Sequence, residues 1–106
     1  MFGTEIAIGP GKADLLDSIA ASGSISESAR RLGMSYRRAW LLVDTMNRCF
    51  REPVVASATG GSGGGGAQLT PFGRTVLARY RALEESVERA LDKPLADFTE
   101  LLSDRP

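Results

Sequence analysis

The spacing of apolar residues changes along this chain, and each change marks an element. Glu5-Ile6-Ala7-Ile8, closed by Gly9-Pro10-Gly11, predicts a short strand over residues 5–8 that ends in a turn. Over residues 12–22 the apolar positions Leu15, Leu16, Ile19 and Ala20 fall at helical spacing, and Gly23 supplies the stop. Ser24 or Ser26 can cap a short second helix whose inward side is Ile25, Ala29 and Leu32. With Ser24 as the cap, Glu27 sits where a capping box needs it. Gly33 permits the left-handed backbone of a tight turn, and Ser35 can cap a third helix over residues 36–50. The inward stripe of that helix is Ala39, Leu42, Val43, Met46 and Phe50, with Trp40 at its margin.

Residues 53–59 read as a strand, residues 60–66 as a glycine-rich loop, and residues 67–69 as the returning strand. Thr70 caps a long helix, Pro71 takes its first position, and Pro94 is expected to end it after about Asp92. Phe72, Val76, Leu77, Tyr80, Leu83, Val87 and Leu91 form its apolar stripe. Leu95, Phe98, Leu101 and Leu102 suggest a further amphipathic turn or two before a frayed end. A short helix, a glycine turn and a capped longer helix make a helix-turn-helix, with small Ala29 where the two helices must approach closely. The expected fold is therefore mainly α with a small β-hairpin wing, a winged helix-turn-helix with a long C-terminal helix. Residues 5–8 would lie beside the wing. Residues 1–93 would form the domain and residues 94–106 a short tail. The last helix, about residues 70–93, exceeds what so small a core needs and suggests a coiled-coil-like homodimer contact.

Composition narrows the function classes. A chain of 106 residues, 42% hydrophobic and 25% charged, is one globular domain with little room for a deep ligand cavity. No apolar run is long enough to span a bilayer, and Met1-Phe2-Gly3-Thr4-Glu5 lacks the features of a signal peptide. Cys49 has no second cysteine to pair with, so a cytoplasmic location is the default and no membrane partner is expected. The chain contains no histidine, which removes Ser/His/Asp triads, an imidazole base and Cys/His zinc sites. With only Lys12 and Lys93 as lysines, the reading is of a protein that is not an enzyme and needs no cofactor or metal.

The zero net charge conceals a segregation. Residues 1–29 sum to −3, residues 30–81 to +7 and residues 82–106 to −4. The nine central bases are all arginine, the residue suited to bidentate contacts with phosphate and guanine. One reading is a set of solvated faces with intrachain ion pairs. The other is an electropositive middle that faces a polyanion.

Within that middle, Ser35, Tyr36, Arg37 and Arg38 occupy the first turn of the third helix, the part of a recognition helix that enters the major groove. Its free N–H groups and helix dipole also favour phosphate. Leu41, Thr45 and Arg48 continue the outward face, and Ser24 and Ser26 open the preceding helix toward the same ligand. The plainer reading is an ordinary surface helix with Tyr36 as packing. The run Gly60-Gly61-Ser62-Gly63-Gly64-Gly65-Gly66 is flanked by strand-like residues, which favours a hairpin tip over an interdomain linker. It is no P-loop, because no Gly-Lys-Ser/Thr follows. A wing formed by Gly60, Gly61, Ser62, Gly63 and Gly64 could lie along a DNA backbone, offering N–H donors, or be mobile filler. Cys49 reads as a small half-buried residue rather than a redox sensor.

Several of these segments resemble the N-terminal DNA-binding domain of ModE-type molybdate-responsive regulators. The resemblance covers about residues 3–93. It rests on Gly23-Ser24-Ile25-Ser26, on Ser35-Tyr36 with Ala39-Trp40, on Met46-Asn47, and above all on the stretch from Ala58 through the glycines to Ala67, with Leu69-Thr70 and Gly73. It implies a winged helix in a bacterial regulator, a homodimer joined largely through the long last helix, and a palindromic operator near molybdate-transport or molybdenum-cofactor genes. It also matches Ser35, Tyr36 and Arg37 to recognition-helix positions and the glycine loop to the wing. Full-length members carry C-terminal oxyanion-binding domains, and no molybdate site is visible in this chain. Either a stand-alone DNA binder or a piece without its sensor would read this way.

The resulting expectation is a sequence-specific, double-stranded-DNA-binding transcriptional regulator that acts as a dimer. The alternative is a winged-helix protein-interaction module that modulates another regulator. A third reading, a small sensor that binds molybdate directly, lacks a pocket in the sequence.

Overall fold

The computed structural model describes residues 7–58 and 66–103. In chain order the elements are α1 (Pro10–Ser22), α2 (Ile25–Arg31), α3 (Tyr36–Cys49), β1 (Val55–Ala58), β2 (Gly66–Leu69) and α4 (Pro71–Thr99). This is a winged helix with a long C-terminal helix.

Local chemistry sets each boundary. Gly23 (φ 70°) ends α1, its N–H donating to Ile19 O at 2.8 Å. Ser24 caps α2 by accepting the Glu27 N–H at 3.0 Å. Only half of the expected capping box forms. The Glu27 carboxylate turns outward to Arg30 and Arg31, while the Ser24 N–H is taken by Ser22 Oγ at 3.2 Å. Ser28 is fully buried there, donating to Ser24 O at 2.8 Å and lying 3.2 Å from Ser22 Oγ. Leu32, which the apolar pattern placed inward, lies at the surface instead. Gly33 (φ 69°) then makes the turn, with Met34 N–H donating to Ala29 O at 3.0 Å and Gly33 N–H to Arg30 O at 3.3 Å.

The core gathers Leu15, Leu16 and Ile19 from α1, Ala29 from α2, Ala39, Val43 and Met46 from α3, and Val54, Val55, Ala67 and Leu69 from the hairpin. β1 and β2 are antiparallel, from Val55 opposite Leu69 to Ala58 opposite Gly66. Asn47 on α3 fixes where the hairpin starts. Its Oδ1 accepts from Val54 N–H at 2.8 Å and Val55 N–H at 3.2 Å, and its Nδ2 donates to Val55 O at 3.1 Å. From the other side Thr70 N–H donates to Val54 O at 3.0 Å and Thr70 Oγ1 to Pro53 O at 2.7 Å. Gly73 presses directly on the same carbonyl: a Cβ there would sit 2.0 Å from Val54 O.

Three expectations are corrected. Ala7 and Ile8 belong to no strand, while Glu5 and Ile6 lie outside the described residues. The place beside the wing is taken instead by Gly23, whose carbonyl accepts the Ala67 N–H at 3.0 Å. Pro94 does not end the last helix, which continues through it to Thr99. The proline removes one N–H, but every residue from Glu85 to Ser103 is exposed, so water can reach the Ala90 carbonyl left without a donor. Good helix formers surround it, and Lys93 and Asp97 bridge it at 3.8 Å. Cys49 is exposed rather than half-buried, because the inward stripe runs through Met46 and passes it by.

Three predictions follow from this packing. Gly73→Ala gains about 1 kcal/mol of helix propensity, but the clash with the Val54 backbone should outweigh it. A net loss of about 2 kcal/mol or more is expected in urea unfolding, and unchanged stability would contradict the contact. Asn47→Ala strands two N–H donors and a carbonyl and should lower stability by about 2–3 kcal/mol in the same assay. Hydrogen bonds from Arg30 and then Arg31 hold Glu27 at about 2, below its ordinary 4.5. Its contribution to stability is therefore complete above about 4.5 and is lost as pH falls through about 2. The Glu27 carboxyl carbon should titrate in NMR with a midpoint near the lower value, and Arg30→Ala should raise that midpoint.

Candidate nucleic-acid interface

Ser35 has extended backbone (φ −70°, ψ 155°), and its Oγ accepts the Arg38 N–H at 3.1 Å. That cap directs the first turn of α3 away from the core. Tyr36 is 54% exposed, and Arg37 and Arg38 lie fully on the surface. Leu41 follows at 55% exposure on the same outward side, and Thr45 is partly covered. Arg48 closes this face, but its guanidinium is drawn along the helix to Asp44 Oδ2 at 3.1 Å and Thr45 Oγ1 at 3.4 Å.

Ion pairing divides the central arginines into two groups. Arg30 and Arg31 hold Glu27, Arg48 holds Asp44, and Arg51 approaches Glu52 at 3.8 Å while lying over the Phe72 ring. Arg81 joins α4 to α1, reaching Asp14 at 2.9 Å, Asp17 at 2.5 Å and Glu84 at 2.9 Å. Hydrogen bonds donated to the Asp17, Glu84 and Asp14 carboxylates raise its pKa further above the ordinary arginine value. Among the described residues, Arg37, Arg38, Arg74 and Arg79 enter no ion pair. Intrachain ion pairs thus account for part of the charge segregation and leave these four arginines outside it. Arg37 and Arg38 keep their donors available at the positive end of α3.

A cleft of about 510 Å³ separates α3 from the hairpin. Ser26, Tyr36, Trp40, Asn47 and Ser57 are among its walls. Of the two serines at the start of α2, Ser26 therefore lines the same cleft as Tyr36, whereas the Ser24 side chain is committed to capping. Trp40 belongs to this cleft rather than to the core margin, and it is 47% exposed. Its four-residue step from Tyr36 puts both rings on one side of α3, beside the Ala39–Val43–Met46 stripe. That spacing was the available signal. Asn47 was legible only as part of the family resemblance, because its role depends on a strand that folds back onto α3. Gly60, Gly61, Ser62, Gly63 and Gly64 lie outside the described residues, and the paired strands bring both flanks of that segment to one end of the hairpin.

No family model matches the chain. Among curated proteins it is 47% identical over 79 residues to the molybdenum transport protein ModE of Azotobacter vinelandii, covering 74% of this chain and 29% of that protein. It is 44% identical over 88 residues to the molybdenum-pterin-binding protein MopB of Rhodobacter capsulatus, covering 83% and 33%. It is 42% identical over 83 residues to the DNA-binding transcriptional dual regulator ModE of Escherichia coli K12, covering 78% and 32%. The chain thus spans about a third of the length of the curated relatives it matches. Identity of this order over three quarters of the chain, on a winged helix-turn-helix with a long last helix, places it in the ModE-type family, where it corresponds to the N-terminal winged helix-turn-helix domain.

Proposed function

We propose that this chain is the sequence-specific, double-stranded-DNA-binding part of a ModE-type transcriptional regulator, working in the cytoplasm and binding a palindromic operator as a dimer. The observation that carries the reading is the first turn of α3: a capped helix start that presents Tyr36, Arg37 and Arg38 to solvent, with no acid in the described residues paired to either arginine. Arg37 and Arg38 are suited to a guanine edge or a phosphate, and Ser26, Leu41, Thr45 and Arg48 extend the contact along the groove. Tyr36 and Trp40 line the cleft toward the hairpin, where the sugar–phosphate strand between the two contacts would pass. The glycine segment from Gly60 to Gly64 would follow the backbone as the wing, and Ser24 would act through the helix it caps. The names of the relatives connect the regulator with molybdenum.

Fluorescence anisotropy against random and operator-like duplexes at two salt concentrations tests the reading. Binding should weaken steeply with salt, and no binding at low salt would remove the DNA assignment. Arg37→Ala should cost about 1–3 kcal/mol on the preferred duplex if it reads a base. An equal loss on random duplex would make Arg37 a phosphate contact, and an unchanged affinity would remove it from the interface. Selection from a random duplex library should return a two-fold symmetric site with half-sites about 34–36 Å apart.

A further inference from the structure

We propose that Arg81 is a positioning residue: by tying the root of α4 to α1 it sets the angle at which the long helix leaves the body, and so the separation of the two α3 helices in the dimer. The inference rests on the reading of the chain as a dimer joined through α4, and it adds the residue that fixes the geometry of that dimer.

The attachment of α4 to the rest of the fold is concentrated in its first half. Phe72, Val76 and Leu77 pack against the core, and Gly73 lies flush on the Val54 carbonyl. From Glu85 to Thr99 every residue is exposed. Arg81 stands at the point of departure, about 12 Å along the helix from Gly73. Gly73 is the fulcrum, because its backbone already touches that of Val54, and the bonds of Arg81 then fix the direction of the helix.

Those bonds differ in kind from the other ion pairs. Arg30 and Arg31 with Glu27, Arg48 with Asp44 and Lys93 with Asp97 each join residues one turn apart on one helix. Arg81 crosses from α4 to α1. Its Nη2 donates to Asp14 Oδ1 at 2.9 Å and Asp17 Oδ2 at 2.5 Å, while its Nη1 donates to Glu84 Oε1 at 2.9 Å. The Arg81 side chain is 34% exposed, against 72% for Arg30 and 57% for Arg48, so water screens its pairs less. A shielded guanidinium held by acceptors on two helices is directional, whereas apolar contacts alone would let α4 rock on α1.

The sign of the contact depends on this one side chain. Asp14, Asp17 and Glu84 converge on it, so without the guanidinium three carboxylates would face one another and push the helices apart. A displacement of about 1 Å at Arg81, pivoting on Gly73, turns α4 by about 5°. Two-fold symmetry doubles that error between the two bodies. Two first turns of α3 that must meet grooves about 34–36 Å apart would register such a rotation.

The native Cys49, exposed at the end of α3, can carry a nitroxide label, and pulsed dipolar spectroscopy then reads the distance between the two α3 ends of the dimer. Wild type should give one narrow distribution. Arg81→Gln should make it roughly twice as broad, and Asp14→Asn/Asp17→Asn, which leaves Arg81 only Glu84, should do the same. Arg81→Asp/Asp17→Arg keeps one arginine among three carboxylates and should restore the narrow distribution, a rescue that a general loss of packing would not show. Unchanged distributions in the first two variants, or no rescue by the exchange, would overturn the proposal. No dipolar coupling in wild type would instead remove the dimeric reading, and the proposal with it. On duplexes, Arg81→Gln should bind a single half-site as wild type does. Moving the half-sites apart by two base pairs should weaken wild type roughly tenfold and the variant far less. Equal discrimination by the two proteins would also count against Arg81.

Discussion

Everything that makes this fold a winged helix passes through the backbone of Pro53, Val54 and Val55. Asn47 holds that segment from α3, Thr70 holds it from the start of α4, and Gly73 is flush against the Val54 carbonyl. A short segment of extended chain thus fixes the hairpin relative to α3 and the long helix together. The contact is polar and directional, so it sets geometry more sharply than the surrounding apolar core, which would tolerate sliding. The small residue at position 73 matters because of close approach, not because of any unusual backbone angle.

Much of this was legible in the sequence because the signals are local. Ser35 and Thr70 each cap the helix they were expected to cap, Ser24 proves to be the cap where Ser24 and Ser26 were both open, and Gly23 and Gly33 take left-handed backbone at their turns. What escaped depends on contacts between segments distant in the chain. Asn47 looks like an ordinary polar helix residue until a strand folds back on it. Ser28 looks like surface until the Ser22–Ser24 corner surrounds it. The helix end was misplaced for a different reason: Pro94 is a strong local stop, but on an arm exposed to water the loss of one hydrogen bond is tolerable. For the site, helix grammar located the Ser35–Arg38 turn, whereas the opening of Trp40 into the cleft required the hairpin to be in place.

The arginines show why a net charge says little about a surface. Of nine in the central segment, one cements α4 to α1, two neutralise a single glutamate and two are engaged near the far end of α3. The electrostatic field at the start of α3 is then set by a few side chains that the fold leaves uncompensated.

The hydrogen bond from Ala67 to Gly23 gives the wing a mechanical character. β1 is clamped at its root to α3 through Asn47, while β2 is moored at Ala67, one pair from the far end of the described strands, to the corner between α1 and α2. Load applied along its strands is delivered to that corner and to Asn47. Asn47 lies about 16 Å along α3 from Tyr36. The hairpin's anchor and the turn that carries Arg37 and Arg38 thus stand near opposite ends of one helix, so the stiffness of α3 sets the distance between them.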